Sequence, residues 1–427
     1  MDTKDLQAGL RRWSLYAWTF VKWTVVAAVI GAACGLVGTL FHFGVHEVTA
    51  FRGAHPWVLY LLPAAGLVIV GFYKLTRTDG LGTDDIIDAV HQGKILPILL
   101  LPAIFFGTVL THLCGGSAGR EGAALQMGGT IGQFLGRHFH LDDRDLRVAT
   151  LAGMAAFFSA LFGTPLAATV FAIMVISIGV IYHVALYPSL LAALVAYGVS
   201  VHLGVEPTRF AVTVPEQTAE TFVRVAALGI LCALVSILFC KVMHAAGHFM
   251  KKIRNPWLRV VCGGVCIIVM TWIFGTDYNG AGMDIVTAAV EKGAVAVPWA
   301  FLLKLIFTAV TLAAGFKGGE VVPSFFVGAT FGCAAAPLLG LPAGFGAAVG
   351  LAAVFCGVTN CPLASTLLAV ELFGAEGLLY FALACCLSYM LSGYQGLYSS
   401  QTILYSKLKA QFINVHTNAH HAGEKSE

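Results

Sequence analysis

Charge-free apolar runs recur along this chain, and the first extends from Val25 to Phe43 without an Asp, Glu, Lys or Arg. Coiled as a helix, a run of that length matches the hydrocarbon thickness of a bilayer. It is too long for the apolar core of a cleavable signal peptide. Lipid offers no partner to a free peptide N–H or C=O, so such a chain must span as helices or as a closed barrel. Barrel strands would alternate apolar and polar residues over about ten positions, and these runs do not alternate. The expectation is an all-α polytopic membrane protein. Composition agrees, with 11% of residues charged against roughly 25% in a soluble domain, too few to clothe a water-exposed exterior. The same scarcity of basic residues excludes nucleic acid as a partner. The eleven cysteines lie in apolar stretches, where Cys behaves as a small hydrophobe. No Cys/His spacing suits zinc, and neither a metal nor a cofactor is expected.

The basic residues give an orientation. Arg11, Arg12 and Lys22 precede or open the first run, and Lys74 and Arg77 follow the second. Lys251, Lys252 and Arg254 fill a mid-chain loop, and Lys407 and Lys409 lie in the tail. Positive segments stay inside, so both termini are expected in the cytoplasm of a multi-pass protein of the cell membrane. The stretch around Glu206, Glu216 and Glu220, with Arg209 as its one cation, suits the outer side.

An internal duplication divides the chain. GSAGREGAALQMGG from Gly116 matches GFKGGEVVPSFFVG from Gly315 at an offset of 199 (315 − 116), which aligns Glu121 with Glu320. AAFFSALFGTPLAATVFA from Ala155 matches AAVFCGVTNCPLASTLLA from Ala352 at an offset of 197 (352 − 155). The expected organisation is a cytoplasmic segment over 1–20, a first membrane repeat over 21–205 and a linker over 206–219. A second repeat over 220–405 and a disordered cytoplasmic tail over 406–427 complete it. Two related halves point to a transporter or channel whose substrate site lies where broken helices of the halves meet.

Each half carries such a break. GGSAGREG at 115–122 and GFKGGEVVP at 315–323 interrupt apolar sequence and open a new helix, the second with Pro323 in its first turn. A helix N-terminus presents unpaired N–H groups and the positive end of a dipole, which together bind an anion. Each break also holds an acid, Glu121 or Glu320. Acids inside a membrane are costly and functional by default. Ionised, a Glu here competes with an anion for the amides; protonated, it releases them, so proton and anion movement become linked. The plainer alternatives are pairing of Glu121 with Arg120 and of Glu320 with Lys317. Glu371, on a later apolar helix, suits a structural hydrogen-bonding role, as do His112 and His183 within helices.

These motifs resemble those of the CLC family of anion channels and anion/proton antiporters. GREG at 119–122 resembles that family's gating-glutamate motif, and GGEVVP at 318–323 its second-half filter. FGTPLA and TNCPLA resemble the helix starts that follow, and LYS at 397–399 the motif whose tyrosine holds the anion. The resemblance covers about residues 21–405 in family order. It implies an inverted-repeat dimeric bundle with one pathway per subunit. It also implies anion binding by Tyr398 and by the backbone at Gly119, Arg120, Gly122, Val321 and Val322.

Departures narrow the branch. Where chloride members carry a filter serine, GLGTD at 80–84 has Leu81. The inner proton-transfer Glu of chloride/proton antiporters is absent, since Met174 and Val175 stand there. Glu320 occupies a usually apolar position. This combination resembles the fluoride/proton antiporter branch, although Val322 stands where that branch commonly has Thr. The expected function is export of fluoride against protons through Glu121 and Glu320, by a homodimer in the lipid bilayer. The alternatives are a chloride/proton antiporter or chloride channel of the same fold and, from another class, an intramembrane hydrolase using the two acids. No nucleophile–base pair or metal-ligand set accompanies them.

Overall fold

The structure is a computed structural model that describes residues 3–294, 297–409 and 411–418, with side chains from residue 12 onward. Sixteen α-helices are found among the described residues. The first half contains α1 (Thr3–Ala54), α2 (Leu62–Leu75), α3 (Thr83–Gln92), α4 (Leu100–Leu113), α5 (Glu121–His138), α6 (Asp143–Phe162), α7 (Pro165–Met174) and α8 (Leu186–His202). The second contains α9 (Ala219–Lys251), α10 (Pro256–Phe274), α11 (Met283–Glu291), α12 (Ala300–Ala314), α13 (Val321–Ala335), α14 (Ala343–Thr359), α15 (Pro362–Phe373) and α16 (Leu378–Leu391). Seven helical spans among the described residues are long and apolar enough to cross a membrane. The all-α, multi-pass expectation is met.

The core is built around α6 and α14. Every residue from Val148 to Phe162 and from Phe345 to Thr359 is buried, as befits helices that are apolar on all sides. These helices hold the second duplicated motif, and they end alike. Gly163 and Asn360 take the left-handed conformation, with φ 68° and 60°, which closes a helix C-terminus. Pro165 and Pro362 then open α7 and α15, where the missing N–H costs nothing. Large apolar side chains such as Leu36, Leu40, Trp272 and Ile273 remain exposed on α1 and α10, the surface that lipid would cover.

Two expectations need correction. The first membrane helix is not confined to the run from Val25; α1 has 52 residues, about 78 Å at 1.5 Å per residue, and so extends well past a bilayer. It takes in residues 3–20 of the expected 1–20 segment. The tail is not disordered from 406 onward. Thr402–Tyr405 and Phe412–His416 form antiparallel strands β2 and β3, and β2 pairs in parallel with β1, Ser177–Ile178 of the first half. A five-residue strand of mixed polarity leaves no strong mark in sequence, and the sheet it joins is anchored by β1 some 225 residues earlier, through the Ser177–Thr402 pairing of β2. Residues 419–427 of the expected tail lie outside the described residues.

Candidate functional site

The Gly-rich stretches before α5 and α13 cross and hydrogen bond to each other reciprocally. Gly119 N–H donates to the Gly319 carbonyl at 2.7 Å, and Gly319 N–H to the Gly119 carbonyl at 2.8 Å. Beside them Ser117 N–H donates to Thr311 Oγ1 and Lys317 N–H to Thr111 Oγ1, each at 3.1 Å. Both pairings relate positions 200 apart (319 − 119; 317 − 117), so the halves superpose here on an offset of 200 and not 199. The two acids are therefore not equivalent. Glu121 is the first residue of α5, whereas Glu320 precedes α13 at its N-cap, where Arg120 stands in the first half. The crossing is tight enough to require glycine: a Cβ on Gly319 would lie 2.2 Å from the Gly122 nitrogen.

The crossing also removes one expected ligand. Gly119 spends its N–H on Gly319, so it has none to offer an anion. The Arg120 N–H is held by Glu121 Oε2 at 2.9 Å, and the Val322 N–H also faces this carboxylate. Glu121 is fully buried, and its Oε1 lacks a hydrogen bond among the described residues. Its carboxylate thus occupies amides at the starts of both α5 and α13. Arg120 does pair with it, Nε lying 3.5 Å from Oε1, and reaches on to His42 Nδ1 at 3.0 Å. Arg120 thereby ties the start of α5 to α1. The other plain alternative is not observed: Lys317 stacks its ammonium 4.1 Å from the Tyr73 ring centroid, and no ion pair with Glu320 occurs among the described residues.

Three cavities approach this crossing. The first, about 690 Å³, is lined by Glu121, Arg120, His42 and Arg52. The second, about 250 Å³, is lined by Leu81, Gln126, Lys317, Glu320 and Tyr398. The third, about 1180 Å³, is lined by Glu320 and by Lys241, His244, Lys251 and Arg259. Tyr398 is 3% exposed, and its hydroxyl has no partner among the described residues. A buried hydroxyl without a partner is costly, and this residue lines the 250 Å³ cavity together with Glu320. Leu81 lines the same cavity without a hydroxyl to offer. Val321 and Val322 are buried at the start of α13.

Several supporting residues had no signal in sequence. Gln401, fully buried, donates from Nε2 to the carbonyls of Val175 and Thr359 at 2.9 Å each, tying the Tyr398 segment to both halves. Thr417 Oγ1, just past β3, donates to the Tyr398 carbonyl at 2.5 Å. Lys304 is fully buried on α12 and donates to the carbonyls of Tyr278 and Gly280 at 3.1 and 2.6 Å, fixing one wall of the first cavity. A lone Lys or Gln in an apolar run looks alike whether it bonds backbone or lines a path.

His112 Nδ1 lies 2.9 Å from the Thr108 carbonyl within its own helix, while its buried Nε2 has no hydrogen-bond partner among the described residues. Glu371 has the structural role expected. It accepts from Leu166 N–H at 3.2 Å and Ala167 N–H at 2.8 Å, so α15 of one half caps α7 of the other. Glu371→Ala strands these amides and is expected to cost about 1–3 kcal/mol, measured as a lower Tm of the detergent-solubilised protein. An unchanged Tm would mean that the cap carries no stability.

Comparison with known proteins places these features. The sequence pattern described as "Voltage gated chloride channel" matches residues 65–393. A chloride/fluoride channel protein of Pseudomonas syringae pv. tomato is 39% identical over 398 residues, covering 90% of this chain and 87% of that one. An H(+)/Cl(−) exchange transporter of Cronobacter sakazakii is 27% identical over 398 residues, covering 85% and 84%. Among solved structures, a CLC-type fluoride/proton antiporter matches with a TM-score of 0.87 at 32% identity, over 90% of this chain and 99% of that one. A slow cyanobacterial Cl−/H+ antiporter shares the fold, with a TM-score of 0.74 at 19% identity over 87% and 94%.

Proposed function

We propose, for a chain that belongs to the voltage gated chloride channel family, that this site is the exchange centre of a fluoride/proton antiporter. It is a secondary active transporter rather than an enzyme, and it moves fluoride out across the cell membrane as protons enter. One observation carries the proposal. Two acids, Glu121 and Glu320, lie one residue out of equivalence at a single helix crossing, with the unpartnered Tyr398 hydroxyl on the same cavity as Glu320.

The chemistry follows from what occupies the helix ends. In the observed arrangement the Glu121 carboxylate holds the Arg120 amide and faces that of Val322. Protonation removes its charge, weakens those bonds and frees the positive helix ends for an anion. The anion then rests among Tyr398, Leu81, Gly122 and the amides of Val321 and Val322. Return of the Glu121 carboxylate expels it, so proton and anion travel in opposite senses. An acid in the filter repels any anion when ionised, but as a neutral acid it donates a hydrogen bond. Fluoride, small and a strong acceptor, profits most from that short O–H contact. Leu81, by withholding the serine hydroxyl, removes a ligand that suits the larger chloride. The names of the relatives at 39% and 32% identity support the same choice of ion.

The third cavity, walled by Lys241, Lys251 and Arg259, faces the cytoplasm by the positive-inside rule. Both termini lie on that side. Exposed Leu166, Leu363 and Leu379 on α7, α15 and α16 suit a homodimer within the bilayer, with a complete pathway in each subunit.

Efflux from liposomes tests the proposal, with fluoride or chloride inside and proton uptake followed together. Fluoride is expected to leave at least about tenfold faster than chloride, a difference of ~1.4 kcal/mol, with proton uptake in step. Equal fluxes would favour the chloride reading, and fluoride flux without protons would favour a channel.

A further inference from the structure

We propose that Asp84 is the carboxylate through which the proton leaves the site for the cytoplasmic cavity, an assignment that rests on the antiport reading above. Asp84 is the second residue of α3. It lines both the 250 Å³ cavity of Tyr398 and Glu320 and the 1180 Å³ cavity beyond. Four residues line both: Asp84, Glu320, Leu312 and Leu397. Two of the four are leucines, so a proton crossing between the cavities on protein groups has Glu320 and Asp84 to use.

The placement is built and not incidental. Asp84 Oδ1 accepts the Ser400 N–H at 3.0 Å, which fixes it two residues from Tyr398 in the loop it touches. The Tyr398 hydroxyl, buried and unpartnered, opens on the same cavity and lies within electrostatic reach of Glu320, Asp84 and Glu121 alike. The neighbouring Asp85 is otherwise engaged: its Oδ2 accepts the Gly82 N–H at 2.9 Å and its Oδ1 meets Lys94 Nζ at 2.5 Å. Lys241, His248, Lys251 and Arg259 line the larger cavity but not the smaller one, and three further groups are held by contacts of their own. Lys317 lies over Tyr73, Lys407 donates to Asn360 and the Tyr389 carbonyl, and His244 Nδ1 lies 2.7 Å from the Cys240 carbonyl. On α7 the chain reads Met174-Val175, so no acid from that helix serves the same path.

The step is a proton transfer alone. Glu320, having received the proton from Glu121, gives it through cavity water to the Asp84 carboxylate. Glu320 becomes ionised and Asp84 neutral. Asp84 then yields the proton to water of the cytoplasmic cavity and regains its charge. No bond between heavy atoms forms or breaks, and no other reactant is needed.

The test uses the full chain in liposomes, with fluoride efflux and proton uptake recorded for the unaltered protein first. If that protein fails to exchange fluoride for protons, the antiport reading fails, whatever Asp84 does. Given exchange, Asp84→Asn keeps an acceptor for Ser400 but cannot carry a proton. Its maximal rate is expected to fall about tenfold or more, as loss of a positioned proton-transfer group does, while the fluoride concentration for half-maximal rate changes less than about twofold. Asp84→Glu restores at least half the rate. A merely structural role at the start of α3, beside Leu81, would shift the half-maximal concentration instead. Wild-type rate in Asp84→Asn, a shifted half-maximal concentration, or an Asp84→Glu variant as slow as Asp84→Asn, overturns the assignment. Should Asp84→Asn not yield monodisperse protein, Asp84→Ser replaces it: slow Ser with fast Glu supports the relay, and any other pattern overturns it.

Discussion

Replacing Glu121 with Gln is expected to end proton movement while leaving the helix crossing intact. The amide keeps the length and shape of the side chain, and its oxygen still accepts the Arg120 N–H that Glu121 Oε2 holds at 2.9 Å. What disappears is the capacity to bind and release a proton. The buried position makes that loss decisive, because Glu121 is fully enclosed between the first cavity and the crossing. Proton uptake driven by a fluoride gradient should fall about a hundredfold or more, within the range for removing a positioned acid–base group. A pH electrode in a liposome suspension reads it directly. Uptake at the wild-type ratio of protons to fluoride would take the carrier role away from Glu121 and leave its contact with Arg120, 3.5 Å from Nε to Oε1, as its purpose.

Gly319→Ala should instead abolish everything at once. A methyl group at that position would stand 2.2 Å from the Gly122 nitrogen and 2.7 Å from its Cα. These are backbone atoms fixed by the reciprocal Gly119–Gly319 bonds, so neither side can yield cheaply. Overpacking of a fitted interior costs typically 1–3 kcal/mol and sometimes more. Here the displaced atoms are also the ends of α5 and α13 that would hold the ion. Fluoride and proton fluxes should fall together, and Tm in detergent should drop. Gly198→Ala is the control, because a Cβ there meets nothing within 4 Å; its transport should match wild type. Coupled transport at normal rate in Gly319→Ala would mean that the crossing is looser than its geometry implies.

Much of the fold was legible because it rests on repetition and on special backbone. Pro165 and Pro362 mark helix starts in any context, and their shared Pro-Leu-Ala surroundings expose the duplication. The acids at 121 and 320 stand out because charge is rare in the surrounding apolar sequence. The register between the halves was less legible. Identity alone favours Glu121 opposite Glu320, whereas the reciprocal bonds place Gly119 opposite Gly319, and a single-residue difference in loop length leaves no trace in composition. Gly119 shows the same limit: as an expected amide donor it looked like its neighbours until its hydrogen was seen to be spent. Asp84 and Gln401 owe their places to contacts across hundreds of residues, and Thr417 to the Tyr398 carbonyl 19 positions earlier. The strand at Phe412–His416 depends on β2 for its identity, and local propensity could not announce it.

The single-residue stagger between the two glutamates has a consequence for direction. Duplicated halves facing opposite ways build a frame that looks the same from either side of the membrane, and such a frame has no intrinsic inside or outside. Here the frame is symmetric to the level of paired hydrogen bonds, yet its chemistry is not. One acid is the first residue of its helix, and the other stands just before its helix begins. The path thereby acquires a front and a back from an offset of one amino acid, without any difference in scaffold.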